Sequence, residues 1–466
     1  MARLAPLQDR FPRLYLVGGL VRDYLLGRAG ADLDLTCERA EEAARKLAAY
    51  WDVPVVCFQK FERQPCFRVV FGKAPEDFFD FTPLQGESLE EDLSRRDFTI
   101  NAMAMEIGPE GPGRVIDLFD GQKDLKQKLV RMTSRRIFAD DPLRILRGFR
   151  FCAQLGFSLE AETRRTINDQ ANLLTTSAPE RISAELFKLF QAPAAHPVVL
   201  QMDRLGALEA VFPEIGPMKG CRQNEFHHLD VWGHSLLALH RSEELLRRLK
   251  TIFGQNAEQI REILDRGRNT ALFKIGVLLH DLGKPKTRDL HPQTGRITFY
   301  GHDQTGAGLI EALARRLRLS VKDQALLRTL VAEHIHVYAL SRAEVKESTR
   351  MRFFRTHRDR SVLCILLGIA DIEARLGPAS DPEEQDRYRT WAVQAVDQYF
   401  ETMATHRDRP PLITGQDILD LGLETGPRIG QILRWIQEAE DDGLVHTREQ
   451  ALALARELVF REKEQP

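Results

Sequence analysis

Near its N-terminus the chain carries a strand, turn and helix pattern that limits the folds open to it. An apolar run at residues 14–17 predicts a short buried strand, and Gly18 and Gly19 predict a turn into a helix with Arg22 near its start. Because glycine has no side chain, backbone N–H groups at such a turn can approach an anion at the helix N-terminus. The pattern favours a mixed domain of strands and helices with an anion site at the turn.

A second strand, at residues 32–36, alternates polar and apolar side chains. Successive side chains on a strand point to opposite faces, so Asp32, Asp34 and Thr36 share one face and the leucines between them point into the core. Two carboxylates about 6.5 Å apart along a strand can hold two divalent cations about 4 Å apart. An Asp-x-Asp pair alone is more often solvated, but beside a phosphate cradle it predicts nucleotide transfer from a nucleoside triphosphate.

The composition argues against several classes of protein. The chain has 66 lysines and arginines against 68 aspartates and glutamates, a net charge of −2, so a nucleic-acid contact has to be local. Its six cysteines include no C-x-x-C pair, which argues against a zinc ribbon or disulfide scaffold and favours a reducing compartment. No stretch approaches the ~20 apolar residues that span a bilayer. We expect a soluble, cytoplasmic protein that does not contact membranes.

Secondary-structure patterns change at about residue 130. Before this point, β-branched and aromatic runs predict further strands at residues 55–58, 67–71 and 78–81. After it, helical periodicity dominates, with predicted helices at residues 142–155, 162–174, 180–191 and 198–211. A polar break follows residue 218, and a linker with glycine and proline follows residue 375. The expected regions are 1–130, 131–218, 219–376 and 377–466.

Two arginine-rich segments carry further groups that suit a nucleotide. In the first, Arg95 and Arg96 offer guanidinium groups to phosphate oxygens, and Asp97 offers a carboxylate to ribose hydroxyls. The alternative interpretation of this segment is a helix N-terminus with Asp97 as its cap.

The second segment begins with Asp141 and Pro142, which are residue types of an N-cap and a first helical position. Arg144, Arg147 and Arg150 recur every three residues and so stay on one face of the helix. A solvated basic face is the common reason for such a row. In the functional interpretation, Asp141 and Arg144 present a donor–acceptor edge to a base, and the other two arginines approach its triphosphate.

Taken in order, these motifs resemble those of the class II tRNA nucleotidyltransferases. The matching runs are residues 17–23 with 32–34, 95–102, 140–144 and 179–186. The family builds or repairs the 3′ CCA end of tRNA and includes bacterial poly(A) polymerases. The resemblance implies an α+β head, with a DNA-polymerase-β-like nucleotidyltransferase sheet and helices, followed by all-α neck, body and tail regions. It also implies that tRNA, CTP and ATP are the partners.

The resemblance implies roles for residues of the head. Gly18, Gly19 and Arg22 would hold the triphosphate, and Asp32 and Asp34 would bind two catalytic Mg²⁺ ions. Such metal ions would activate the tRNA 3′ hydroxyl and stabilise the pyrophosphate leaving group. The protein then mainly positions the reactants and neutralises charge.

Further head residues are implied to complete this site. Arg96 and Asp97 would contact phosphate and sugar, and Asp80, on a strand face, would act as a third carboxylate or base. Residues 83–94 form a short connection where complete CCA-adding members carry a longer, arginine-containing segment and CC-adding members are shortened. We therefore expect the chain to lean toward CC addition.

The resemblance also implies that the helix after Pro142 provides a protein template for the base. Asp141 and Arg144 would pair with the incoming C or A, with Arg147 and Arg150 alongside. A base read by such a pair is selected strongly, because a wrong base leaves buried polar groups unpaired.

The middle of the chain places histidines and aspartates on several helical segments, one of them an adjacent His-Asp pair ending an apolar helix. A lone histidine there is more often a core residue, but imidazoles and carboxylates together suit a divalent metal. The set is similar to an HD-type metal-dependent phosphohydrolase domain. Its implied ligands are His234, His280, Asp281 and Asp371, with His302 and His334 available for a second metal or a substrate phosphate. The identity of the metal stays open.

Several alternatives remain at this point. A poly(A) polymerase of the same family would extend RNA with ATP, although the segment after the Asp-x-Asp strand is acidic rather than basic. Two further hypotheses concern other functions. The chain could be an RNA-binding regulator whose active sites are vestigial, or its HD-like region could be the main enzyme. The sequence leaves the oligomeric state open.

Overall fold

The computed structural model describes residues 2–7, 11, 13–28, 33–60, 64–72, 77–108, 111–407, 411–441 and 444–460. The chain forms two compact units, residues 1–213 and 214–466. The first combines a sheet with helices and the second is almost entirely helical, which confirms the predicted fold class. Within the described residues, no helix has the length and apolar content that crossing a membrane requires.

A mixed sheet forms the centre of the first unit. Its described strands are β1 (Tyr15–Val17), β2 (Leu33–Cys37), β3 (Val55–Lys60), β4 (Gln64–Val70), β5 (Phe78–Pro83), β6 (Met103–Gly108) and β7 (Gly111–Asp117). They lie in the order β3-β4-β5-β2-β1-β6-β7, with β2 and β5 parallel and the other neighbours antiparallel. The three strands predicted from aromatic and β-branched runs are confirmed as β3, β4 and β5.

The face of β2 that was predicted to carry Asp34 and Thr36 is covered at Thr36. Leu35 is fully buried and Asp34 half-buried, but Thr36, predicted on the same face as Asp34, is buried too. Thr36 lies between Tyr15 and Thr82 of the neighbouring strands, and its Oγ1 donates to the Thr82 carbonyl oxygen at 3.1 Å. The open face of this strand is therefore confined to the Asp34 end.

The helices of the first unit largely follow the predicted periodicity. They are α1 (Gly19–Leu25), α2 (Ala40–Trp51), α3 (Leu89–Ser94), α4 (Gly121–Gln127), α5 (Ile137–Asp140), α6 (Arg144–Leu155), α7 (Ala161–Gln170), α8 (Pro179–Phe190), α9 (His196–Arg204) and α10 (Ala207–Val211). The helix predicted at 162–174 ends earlier and continues as a 3₁₀ turn, Ala171–Thr176. The single helix predicted at 198–211 is wrong, because Gly206 takes a left-handed φ of 73° and separates α9 from α10.

The start of α6 also differs from its prediction. The helix begins at Arg144 with Leu143 as N-cap, two residues after Pro142. Asp141 has an extended backbone, and its Oδ1 accepts a hydrogen bond from the Leu143 N–H at 3.2 Å. The carboxylate closes a turn before the helix, so its second oxygen remains for an ionic contact.

The second unit is built around an apolar, buried helix, α19. Its helices are α11 (Val231–Arg247), α12 (Leu249–Phe253), α13 (Ala257–Asp265), α14 (Asn269–Leu279), α15 (Lys284–Thr287), α16 (His302–Arg316), α17 (Val321–Leu340), α18 (Glu347–His357), α19 (Asp359–Glu373), α20 (Pro382–Arg407), α21 (Gly415–Asp420), α22 (Pro427–Asp441) and α23 (Arg448–Phe460). Helices α11, α14, α17 and α20 pack against α19.

Two short strand pairs depart from the expected all-helical remainder. A hairpin joins β10 (Asp289–Leu290) to β11 (Ile297–Thr298) in the second unit. In the first unit, β8 (Leu129–Val130) pairs with β9 (Ser158–Leu159).

The last three helices enclose an apolar cluster of their own. Its buried members are Ile413, Ile418, Ile432, Ile436, Val445, Ala451, Ala455 and Val459. The C-terminal segment thus has a separate small core within the second unit.

A buried ion pair between α11 and α14 gives a stability prediction. The Lys274 Nζ lies 2.8 Å from the Glu243 Oε1, and each side chain is 2% exposed. Removing one partner takes away the opposite charge nearest to a buried ion, which costs about 3–5 kcal/mol. We expect Lys274→Met to lower the urea midpoint of the second unit, and Lys274→Met/Glu243→Leu to recover most of it. A single variant with unchanged urea unfolding would contradict this account.

Candidate functional site

The glycine turn after β1 brings a distant arginine beside it. Gly18 caps α1 with φ 73° and ψ −135°, a backbone region that favours glycine. A Cβ built at Gly18 would lie 3.1 Å from the Arg96 Nη1. Arg96 in turn donates to the Asp92 Oδ2 from Nε and Nη2, at 3.2 and 3.0 Å. The turn and this guanidinium therefore form one surface, as expected for groups that share an anion.

Two carboxylates lie side by side on neighbouring strands. Asp34 of β2 and Asp80 of β5 are register partners across the parallel pair. Asp80 is buried and accepts two hydrogen bonds from Arg68, at 2.7 and 2.9 Å. Asp32 lies outside the described residues, so its predicted pairing with Asp34 stays a prediction.

Arg22 of α1 points toward the segment that follows α3. Its Nε and Nη2 donate to the Asp23 carboxylate, each at 2.9 Å, and its Nη1 donates to the Asn101 Oδ1 at 2.8 Å. The Asn101 Nδ2 donates to the Asp97 Oδ1 at 3.0 Å. The arginine predicted to hold triphosphate is thus fixed by two partners before any ligand binds.

Asp97 is buried and fully engaged. Its Oδ2 accepts from the Arg147 Nε at 2.8 Å and lies 2.6 Å from Nη2, and its Oδ1 also accepts from the Phe98 N–H. Burial raises the pKa of this carboxyl, but the Arg147 charge and the hydrogen bonds outweigh burial and lower the pKa to about 2. The structure places Asp97 against α6, and its predicted contact with the sugar stays a prediction.

Ion pairs also hold the end of the arginine row and the turn before α6. The Arg150 Nε lies 2.9 Å from the Glu185 Oε2, and the Arg181 Nη2 lies 2.8 Å from the Asp141 Oδ2. Arg144 is half-buried one turn after Asp141. Helix α8, which supplies Arg181 and Glu185, thereby holds both the turn before α6 and the last arginine of the row.

Several of these partners had no role assigned from the sequence. Asn101, Arg181 and Glu185 lie within motif runs that carried the resemblance, so the signal was present but unassigned. Arg68 and Asp92 had no local signal, because each acts only through a residue that the fold brings close.

The second unit assembles the predicted histidine and aspartate cluster. His234 Nε2 lies 2.9 Å from the Asp371 Oδ1 and 3.7 Å from the Asp281 Oδ2. His280 Nε2 lies 3.2 Å from the same Asp281 oxygen and 3.6 Å from the same Asp371 oxygen. The four side chains are buried and converge on one point, as the sequence predicted.

The other Asp281 oxygen faces the two further histidines. Its Oδ1 lies 3.4 Å from the His302 Nε2 and 3.7 Å from the His334 Nε2, and these nitrogens are 3.1 Å apart. Asp281 therefore belongs to two groups that could each hold a metal ion, one with His234 and His280 and one with His302 and His334.

Backbone carbonyls orient three of the imidazoles. The Nδ1 atoms of His280, His302 and His334 lie 2.7–2.8 Å from the carbonyl oxygens three residues earlier. With Nδ1 held by a carbonyl oxygen, Nε2 is the ring nitrogen that faces the cluster, and it is the atom that would bind a metal once its proton is released.

Cations beside the cluster balance its carboxylates. The Lys284 Nζ lies 2.7 Å from the Asp281 Oδ2 and donates to the Gln223 Oε1, and the Arg375 Nη2 lies 2.5 Å from the Asp371 Oδ2. Burial lowers the pKa of His280, but the adjacent carboxylates outweigh it and raise the pKa to about 10. Sequence reasoning missed Gln223 and Arg375, whereas Lys284 lies three residues after the adjacent His-Asp pair.

Three protein-family models match successive parts of the chain. The Poly A polymerase head domain matches residues 14–131, the probable RNA and SrmB-binding site of polymerase A matches residues 156–218, and the HD domain matches residues 231–376. The first match contains the glycine turn and the sheet, and the third contains all six members of the buried cluster.

Two curated relatives align over nearly the full length. An A-adding tRNA nucleotidyltransferase from Deinococcus radiodurans is 35% identical over 97% of this chain and 97% of its own. A CC-adding tRNA nucleotidyltransferase from Thermus thermophilus is 31% identical over 96% of this chain and 93% of its own.

Solved structures share the fold at lower identity. A CCA-adding enzyme in complex with CTP covers 99% of this chain and 94% of its own, at 20% identity and a TM-score of 0.60. A Thermotoga maritima CCA-adding enzyme complexed with tRNA covers 96% and 91%, at 20% identity and a TM-score of 0.58. The overall architecture is therefore that of these enzymes.

Proposed function

Because this chain belongs to the class II tRNA nucleotidyltransferases, the CCA-adding family, we propose that it extends the 3′ end of tRNA with nucleotides taken from CTP and ATP. The names of the curated relatives and the solved complexes with CTP, ATP and tRNA support these partners. One observation carries the proposal for the site: the glycine turn, Arg96 and the arginine row of α6 are linked within one unit. In this proposal the turn and Arg22 face the triphosphate, and α6 faces the base.

Magnesium would be held by Asp32 and Asp34 in this proposal. The donor set fits, because carboxylate oxygens are ligands that Mg²⁺ prefers and Asp80 lies in register beside Asp34. Bound magnesium would activate the tRNA 3′ hydroxyl and neutralise the departing pyrophosphate. The chain's own task is to hold the phosphates with Arg22 and Arg96, so that the hydroxyl meets a phosphorus atom in fixed position.

Base selection follows from the fixed turn before α6. Asp141 is held by the Leu143 N–H and by Arg181, so its position does not depend on the ligand. Arg144 follows three residues later, at the start of α6, and supplies donors beside this acceptor. A base with the wrong edge cannot complete a hydrogen bond with both groups in this partly buried site, which disfavours its incorporation.

We further propose that the product is CC. Between β5 and α3 only residues 84–88 intervene, they contain no arginine, and Ser88 begins the helix by accepting a hydrogen bond from the Glu91 N–H. This is the short connection that the family resemblance associates with CC addition. The two curated relatives differ in the nucleotide they add, so identity alone does not decide the product.

The product is tested with three tRNA substrates that lack CCA, CA or A, each incubated with CTP, ATP or both. We expect CTP to extend the first by two nucleotides and the second by one, and ATP to leave the third unchanged. Addition of A to the third at a rate similar to C addition would overturn the CC assignment. Addition of many A nucleotides to any RNA would instead favour the hypothesis that the chain is a poly(A) polymerase.

A second activity is favoured by the buried cluster of the HD region. We propose that His234, His280, Asp281 and Asp371 hold a divalent metal, and that His302 and His334 complete a second position or contact a substrate phosphate. The donor set fits, since oriented imidazoles and a carboxylate shared by two groups are suited to divalent ions. Such a metal would supply an activated water for hydrolysis of a phosphate ester.

A further inference from the structure

One buried amide links the glycine turn to helix α6. Asn101 is 6% exposed, and its Oδ1 accepts from Arg22 while its Nδ2 donates to Asp97. The reverse orientation would place the NH₂ group against a guanidinium that has only donors. The asparagine therefore has one orientation that satisfies both neighbours, and it fixes the two side chains relative to each other.

The contact continues from Asp97 to the arginine row. Asp97 is buried and accepts from Arg147, so the connection runs from Arg22 through Asn101 and Asp97 to Arg147. The two arginines lie on different helices, α1 and α6, and both intermediates are nearly excluded from solvent. Displacement of either arginine would leave a buried polar group without its partner.

An aromatic ring links the same two helices independently. Phe151 of α6 is 3% exposed, and the guanidinium carbons of Arg22, Arg147 and Arg150 lie 5.2, 5.7 and 4.2 Å from its ring centroid. Cations near a ring face are attracted to it, more strongly where water is excluded. The three arginines thus share one packing surface in addition to the hydrogen-bonded connection.

We propose that Asn101 is a positioning residue that couples the triphosphate arginine Arg22 to the base-reading helix α6, so that triphosphate binding and base selection depend on each other. The inference rests on the proposed function, in which Arg22 faces the phosphates and α6 faces the base. A guanidinium held in place before the ligand arrives needs no reorganisation when charge develops. If Asn101 no longer held the Arg22 guanidinium in place, binding of the correct nucleotide would weaken more than binding of a wrong nucleotide.

Two substitutions of Asn101 test the coupling through steady-state kinetics of tRNA extension. Asn101→Ala removes both hydrogen bonds, and Asn101→Asp keeps the acceptor for Arg22 but sets a like charge against Asp97. For each variant we expect the KM for the preferred nucleotide to rise about tenfold and its preference over the other nucleotide to fall about tenfold, with a smaller change in kcat. Unchanged KM and preference in both variants would overturn the inference.

A matched control separates positioning from a general loss of structure. Asn256 in the second unit is also 6% exposed and donates to the Asp397 carboxylate. We expect Asn256→Ala to lower thermal stability without changing KM or nucleotide preference. If Asn101→Ala does the same and no more, its role is structural and the coupling is absent.

Calorimetric binding of CTP and ATP without tRNA distinguishes this inference from the proposed function. A wild-type protein that binds CTP but extends no tRNA contradicts the proposed function, and about tenfold weaker CTP binding by Asn101→Ala would still support the coupling. A wild-type protein that extends tRNA, with Asn101→Ala binding CTP normally, contradicts the coupling alone. Wild-type protein that binds neither nucleotide contradicts both.

A double-mutant cycle between Arg22→Lys and Arg147→Lys gives a direct readout of the coupling. In the wild-type background we expect the nucleotide affinity of the double variant to differ about fivefold from the value obtained by multiplying the effects of the two single substitutions. In the Asn101→Ala background the deviation should disappear. An equal deviation in both backgrounds would assign the coupling to another path, such as Phe151, and overturn the role of Asn101.

Discussion

Asp34→Asn is expected to lower the rate of nucleotide addition to tRNA by about a thousandfold, the upper range for loss of one group that stabilises transition-state charge. Asparagine keeps the size of the side chain but removes the negative charge that would bind magnesium. The side chain is half-buried at the open end of β2, in register with Asp80. The rate is measured by single-turnover addition of labelled CTP, and tRNA affinity by filter binding should change little.

An aspartate away from the open face serves as the control. Asp52 follows α2, is exposed, and has a φ of 53°, a conformation that asparagine also adopts readily. Asp52→Asn should therefore leave the rate unchanged. An Asp34→Asn protein that adds CTP at the wild-type rate would remove Asp34 from the proposed metal site.

His280→Ala/Asp281→Ala is expected to abolish metal binding by the second unit. Asp281 belongs to both potential metal groups, and His280 completes one of them, so neither group retains its full donor set. Loss of ligands at such a site removes most of the affinity, since even loss of a supporting hydrogen bond costs about 10–100-fold. Elemental analysis should find metal in the wild-type chain and almost none in the variant, and phosphate-ester hydrolysis should be lost with it.

Two further proteins make this result interpretable. Asp281→Asn conserves the shape of the buried side chain and should lose metal as well. His240→Ala alters a partly exposed histidine on α11, beside Glu244, and should retain it. Equal metal content in the double variant and the wild type would contradict the assignment. Retained CTP addition by the metal-free variants would show that the two proposed activities use separate sites.

Local patterns were sufficient to predict much of this fold. Aromatic and β-branched runs predicted β3 to β5, because strand formation there depends on side chains that are adjacent in the sequence. The break at Gly206 was missed since apolar periodicity continues across it, and only the backbone conformation separates the two helices. The burial of Thr36 was not predicted, because alternation gives the face of a strand but not whether that face is covered.

The candidate sites show a similar division. The six HD-region residues were predicted together because each motif carries histidine or aspartate side chains that suit a metal. The structure brings these six residues together. The partners Arg68 and Gln223 were missed, since each becomes relevant only through a residue distant in the sequence, Asp80 and Lys284. The engagement of Asp97 by Arg147 was likewise beyond local reasoning, because the pair joins two different elements of the first unit.

The separate apolar cluster of α21, α22 and α23 has an evolutionary consequence. Substitutions among these helices can be compensated largely within the cluster itself, since the described contact with the helices around α19 runs through α18 and α22. Selection can therefore alter the packing at this end of the chain while the buried groups elsewhere stay unchanged. Sequence divergence within the family should accordingly be faster here than around the buried histidines.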